Sequence, residues 1–135
     1  MYLCAILHRR DLGSIRDLNA SHIPLLKGIR SKIIESIISK WPEVKPGQLR
    51  FFFHCNTLQS PANIDHPSYY HLHLHITHTD LQGNDGTAIG KAWLLEDILE
   101  QLSFYGSEGL KRKTFTIIIG EATDLWKQVY SKLEV

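Results

Sequence analysis

The sequence predicts an α+β fold, an antiparallel sheet carrying helices on one face. Three observations lead there. Short apolar or aromatic runs of strand character recur at Met1–Leu7, Leu49–His54, Tyr69–Thr77 and Thr114–Ile119. Stretches whose apolar residues step by three or four alternate with them. The two middle strand runs follow one another with no helix between, which suits a hairpin better than a parallel crossover.

Each element has a local reason. Met1–Leu7 is apolar but gives way to His8, Arg9 and Arg10, too short for a membrane span or a signal sequence, and it reads as a strand. After the charged stretch His8–Asp17, Asn19 or Ser21 can cap a helix that turns Ile23, Leu26, Ile29, Ile33 and Ile37 to one side, with Pro24 in its first turn. That helix stops near Trp41, because Pro42 disfavours helical geometry in the residue before it. Leu49–His54 is an aromatic, buried strand, and 55–68 has the Asn, Ser, Pro and Asp content of a surface loop. Tyr69–Thr77 is the strongest strand. A helix is expected from Lys91 to Leu102 with Leu94, Leu95, Ile98 and Leu102 inward. Thr114–Ile119 is read as a β-branched strand ended by Gly120. A short helix from Thr123 or Asp124 then buries Leu125, Trp126, Val129 and Leu133.

The totals bound the function. With 135 residues, 43% hydrophobic, the chain has the size of one domain over 1–135 and no room for a second. Fifteen Lys and Arg face fourteen Asp and Glu, so no global field favours duplex nucleic acid or a membrane surface, and an anionic ligand needs a local site. Cys4 and Cys55 lack metal or redox spacing and read as reduced thiols, which points to the cytoplasm.

The chemistry is concentrated in Tyr70-His71-Leu72-His73-Leu74-His75-Ile76. Strand side chains alternate between faces, so three imidazoles line one side and Leu72, Leu74 and Ile76 the other. Same-face neighbours lie about 7 Å apart, close enough for adjacent histidines to share one ligand group. A neutral imidazole is available at physiological pH as nucleophile, base or metal ligand. Solvated surface histidines and a zinc half-site are the other readings of such a pattern. Nucleotide phosphate chemistry accounts best for three in strict alternation with aliphatics.

The same residues carry a resemblance. His71-Leu72-His73-Leu74-His75-Ile76 matches the alternating pattern of the histidine triad (HIT) superfamily, and Pro67-Ser68-Tyr69-Tyr70-His71 extended through His75 resembles the scavenger mRNA decapping family within it. Tyr2-Leu3-Cys4-Ala5-Ile6, His8-Arg9-Arg10, Ser14-Ile15-Arg16-Asp17-Leu18, His22-Ile23-Pro24-Leu25-Leu26, Leu49-Arg50 with His54, and Lys91-Ala92 with Leu94-Leu95 are similar to that family too.

The resemblance implies a HIT-like fold and hydrolysis of the triphosphate bridge of methylated cap nucleotides or short capped RNA fragments. It implies His73 as nucleophile, His71 and its carbonyl fixing the tautomer of His73, and His75 bonding phosphate oxygens. It places Ser68 and Tyr69 on phosphate and nucleoside, Lys91 where the family has a phosphate-facing arginine, and His54 near the cap site. Lysine keeps the charge there and loses the bidentate fork. On the residues alone, Tyr69 can be a strand former, Lys91 a solvated first-turn lysine and His54 a satisfied core histidine; His66, His78 and the Arg9-Arg10 pair read as surface. No metal or organic cofactor is implied.

A homodimer is implied, in the cytoplasm and also the nucleus, together with an upstream domain and guanine-reading segment that these residues do not include. The 55–66 loop is about ten residues longer than the family's connection, a candidate lid or tolerated surface. Two other functions stay open: a general HIT hydrolase of dinucleoside polyphosphates or phosphoramidates, and a non-catalytic nucleotide-binding or dimerisation module.

Overall fold

The computed structural model describes residues 1–54, 71–83, 87–116, 120–128 and 130–132. Four strands form one sheet: β1 (Tyr2–Ile6), β2 (Leu49–His54), β3 (His73–His78) and β4 (Ala92–Leu94), in the order β1-β3-β2-β4 with every neighbouring pair antiparallel. The helices are α1 (Ile23–Lys40), α2 (Leu95–Tyr105) and α3 (Asp124–Gln128). This is the α+β, HIT-like arrangement that the sequence predicts, and the two middle strands pair antiparallel as expected.

Alternation sorts the sheet into two faces. Leu74 and Ile76 of β3 and Phe51 and Phe53 of β2 are each 1% exposed, and they join Leu26 and Ile37 of α1 and Leu95, Ile98 and Leu102 of α2 in one core. Burial of such side chains stabilises by about 1.5–3 kcal/mol each before entropy is counted. The intervening residues of each strand point the other way, where no described helix covers them.

The ends of α1 follow local chemistry. Asn19, expected with Ser21 as a cap of the long helix, instead caps a 3₁₀ turn at Ala20–His22 by accepting from the Ser21 amide; α1 begins directly after that turn with His22 at its cap position making no side-chain capping bond, and Pro24 occupies the first turn as expected. At the other end the Trp41 amide still bonds the Ile37 carbonyl at 2.7 Å, and the helix stops before Pro42. A second capping box, Ser14 with Asp17, orders the Ile15–Asp17 turn; the Asp17 carboxylate accepts from the Gly13 and Ser14 amides at 2.9 Å each. That turn is locked to the 3₁₀ segment Gly106–Arg112: the Leu110 amide bonds the Leu18 carbonyl at 3.0 Å, and a Cβ on Gly109 (φ +62°) would sit 2.1 Å from the same oxygen.

Three expectations are corrected. The helix expected from Lys91 starts only at Leu95, because Ala92–Leu94 pairs with His54, Phe53 and Phe52 as a short edge strand. Ladder bonds there satisfy the backbone, and Leu94, expected inward, is 45% exposed on the uncovered face. Thr114–Thr116, expected as strand, joins no ladder; the segment is held by side chains instead, Phe115 meeting Trp93 edge-on at 4.9 Å and lying under the Arg16 guanidinium at 4.6 Å. His71, expected within the strand, lies in a bend ahead of β3. Residues 117–119 and the expected burial of Leu125, Val129 and Leu133 lie outside the described residues. Among those described, no helix is long and apolar enough to cross a membrane.

Candidate active site

The uncovered face of the sheet collects the imidazoles. In register, Cys4 and Phe52 flank His75 from either side, Ile6 pairs with His73, Leu94 with Phe52 and Ala92 with His54. Residues paired across an antiparallel ladder share a face, so His54, His73 and His75 come together with Tyr2, Cys4, Ile6 and Phe52. Ring centroids lie 4.4 Å apart for His54 and His75, 4.8 Å for His73 and His75, and 5.1 Å for Phe52 and His75.

His73 Nδ1 lies 2.8 Å from the carbonyl oxygen of His71. A carbonyl only accepts, so Nδ1 carries the ring proton and the lone pair resides on Nε2. The bend at His71 allows this contact, since its carbonyl turns toward the ring two residues ahead. His73 itself is only partly buried.

His75 sits deeper, 6% exposed, with the Tyr2 hydroxyl on its Nδ1 and, among the described residues, no partner on its buried Nε2. Burial, then the neighbouring His54 and His73, pushes its pKa down to about 4. Burial and His73 lower His54 as well. Both rings are therefore neutral at physiological pH: hydrogen-bonding groups rather than charges. His54 and His75 stack with 25° between their planes, presenting faces to each other instead of converging nitrogens on one point. Among the described residues, no group of three or more His, Cys, Asp and Glu is placed to hold a metal.

Beside Phe52 the same face opens into a cavity of about 170 Å³, lined by Arg50, Thr87, Ala88, Ile89, Ala92 and Leu94 as well. Its walls are mostly apolar. Arg50 is held by the His78 and Leu81 carbonyls at 3.2 and 2.7 Å, so its guanidinium braces the turn after β3.

Of the residues picked from sequence, His71, His73, His75 and His54 are brought together. Lys91 immediately precedes Ala92, the register partner of His54, at the start of the edge strand and not in a helical first turn. Ser68, Tyr69, Tyr70, His66 and the 55–66 loop lie outside the described residues. His78 points to the opposite face, where its Nδ1 accepts from the Asp80 amide at 3.2 Å. Arg9 pairs with Asp11 on the exposed surface, as a solvated residue would. Cys4 is exposed as a free thiol. Sequence reasoning overlooked Tyr2 and Phe52, which wall the histidine cluster. Period-two alternation places Tyr2 with Cys4 and Ile6, but only the β1–β3 register connects position 2 with position 75.

Comparison with known proteins identifies relatives of the chain. A family model described as the scavenger mRNA decapping enzyme C-terminal binding region matches residues 1–90. A protein of Schizosaccharomyces pombe named m7GpppX diphosphatase is 41% identical over 119 residues, 88% of this chain and 35% of the relative. Proteins of the same name from Ascaris suum and Homo sapiens are 32% and 36% identical, over 95% and 76% of this chain and 38% and 27% of their own lengths. The chain thus spans only about a third of these relatives.

Proposed function

Because this chain belongs to the scavenger mRNA decapping enzyme C-terminal family, we propose that it is a nucleotide pyrophosphatase domain that cleaves the triphosphate bridge of methylated cap remnants through His73. One observation carries the reading: His73 donates from Nδ1 to the His71 carbonyl, which leaves Nε2 unprotonated on the uncovered face. The relatives' name, m7GpppX diphosphatase, supplies the substrate class.

The steps balance without a metal. Nε2 of His73 attacks one phosphorus, an N–P bond forms, and the bridging P–O bond breaks. The nucleoside diphosphate leaves as an anion that needs no proton. Because Nδ1 keeps its proton, the phosphorylated ring is cationic and a good leaving group. Water then attacks phosphorus, releases the nucleoside monophosphate together with one proton, and restores the neutral ring. In this reading His75 donates from its Nε2 to a phosphoryl oxygen, and neutral His54 lines the same wall. Ser68, Tyr69 and Lys91 complete the phosphate contacts in this reading, and the assembly is a homodimer acting in the cytoplasm.

The test is hydrolysis of methylated cap dinucleotide by the chain and by His73→Asn, with labelled nucleotide trapped on the protein. Product from the unaltered chain, none from His73→Asn, and label on residue 73 support the reading; turnover by His73→Asn sinks it. A second reading has its own observation. The strand positions that form this face (Tyr2, Cys4, Ile6, Arg50, Phe52, His54, His73, His75, Thr77, Ala92 and Leu94) include no carboxylate to meet a methylated, cationic guanine. A general dinucleoside polyphosphate hydrolase needs none. Equal rates on methylated, unmethylated and adenine substrates would assign that activity instead.

A further inference from the structure

We propose that Tyr2 is a positioning residue whose hydroxyl, donating to His75 Nδ1, fixes the His75 tautomer that presents Nε2–H to the phosphoryl oxygen; this rests on the hydrolase reading above. Tyr2 stands on β1 and His75 on β3, 73 residues apart, joined by a side-chain hydrogen bond with ring centroids 5.7 Å apart.

The direction of that bond follows from the proton inventory. A neutral imidazole has one N–H and one bare nitrogen. His75 is neutral because burial, His54 and His73 all disfavour its cation. Tyr2 keeps its hydroxyl proton, its pKa raised by burial and by the neighbouring Cys4. The pair therefore holds two protons, one on each ring, and they can be arranged in only two ways across the contact. If Nδ1 carried the imidazole proton, Nε2 would be a bare acceptor, buried with no donor among the described residues, and on the hydrolase reading it would meet phosphate oxygens as acceptor against acceptor. With Tyr2 donating, Nε2 carries the proton and becomes a donor awaiting an anionic partner. That is the property expected of its unpartnered state.

The groups that face His75 come from every strand around it: Tyr2 and Cys4 from β1, His73 and Thr77 from β3, Phe52, His54 and Arg50 from β2. Among these described residues only Tyr2 hydrogen-bonds the His75 ring. The triad thus uses two different devices for tautomer control. The backbone carbonyl of His71 makes Nε2 of His73 an acceptor, and the phenol of Tyr2 makes Nε2 of His75 a donor. The first suits attack on phosphorus and the second suits stabilising the oxygen beside it.

The experiment compares the whole chain with Tyr2→Phe, which keeps the ring, the strand propensity and the packing while deleting the hydroxyl. Ring-nitrogen NMR of ¹⁵N-histidine-labelled, ligand-free protein reads the tautomer directly. The unaltered chain is expected to show His75 protonated at Nε2, and Tyr2→Phe a mixture of both tautomers, with backbone spectra otherwise superimposable. In cap-dinucleotide hydrolysis, Tyr2→Phe is expected to lower kcat about tenfold while KM moves less than about twofold, and to cost nothing further in a His75→Gln background. Nδ1 protonation in the unaltered chain, or an unchanged tautomer and kcat in Tyr2→Phe, overturns the proposal. If the unaltered chain hydrolyses nothing, the hydrolase reading fails by itself, and the NMR result still decides whether Tyr2 orders His75.

Discussion

The two faces of the sheet are built from the same strands and obey opposite rules. On the covered face, Phe51, Phe53, Leu74 and Ile76 are 1% exposed and carry no polar atoms in their side chains, so what matters there is volume. On the uncovered face, His54, His73 and His75 stand among Tyr2, Cys4, Ile6 and Phe52, with Tyr2 and Ile6 51% and 55% exposed. There, what matters is which nitrogen holds a proton. The difference teaches that a residue's surroundings change completely from one position of β3 to the next: 74 and 76 pack the core, and 73 and 75 join the imidazole cluster to which the proposed function assigns the chemistry.

Adjacent substitutions test this division. His73→Asn is expected to reduce cap-dinucleotide hydrolysis on the order of 10⁴-fold or more, because no side-chain amide replaces the attacking nitrogen. Its thermal midpoint should stay within about 2 °C of the unaltered chain, since the ring is partly exposed. Leu74→Ala should do the reverse. Its side chain is buried, and truncation should cost about 2–5 kcal/mol in urea unfolding. Activity per folded molecule should be nearly kept. A stability loss in His73→Asn as large as that of Leu74→Ala would remove the distinction between the faces.

This division was largely legible in the sequence because period-two alternation is a local signal. His71 through Ile76 announce a polar and an apolar side before any tertiary contact is known. The first turn and the stop of α1 were legible for the same reason, Pro24 and Pro42 acting within a few residues of themselves, whereas the expected cap Asn19 serves the 3₁₀ turn ahead of α1. What failed was non-local. Ala92–Leu94 has the apolar content of a helix start and becomes strand only because the edge of β2 offers it hydrogen bonds. Thr114–Thr116 is β-branched or aromatic, yet its anchoring comes from Arg16 and Trp93, distant in the chain. Tyr2 escaped notice because an N-terminal tyrosine carries no sign that its hydroxyl will meet an imidazole 73 residues later.

The smallest expected effect is a pH dependence of stability arising on the uncovered face. The folded His75 titrates near 4, against 6.5 for an unhindered imidazole, and His54 is lowered in the same direction. Between those two pH values the unfolded chain binds a proton that the folded chain refuses. Stability rises with pH wherever the unfolded state holds more protons, so it should fall as pH drops from about 6.5 and level off below about 4. Solvent reaching the open face weakens the effect to about 1 kcal/mol, well under the cost of Leu74→Ala. Urea midpoints of the unaltered chain and His75→Gln at pH 7.0, 5.5 and 4.5, a window set by the pKa displacement, measure it. The unaltered chain should lose more stability across that range than His75→Gln, whose amide does not titrate. Parallel curves would mean that the ring is as easily protonated in the fold as outside it, and that the uncovered face does not enforce the neutral state on which its hydrogen-bonding role depends.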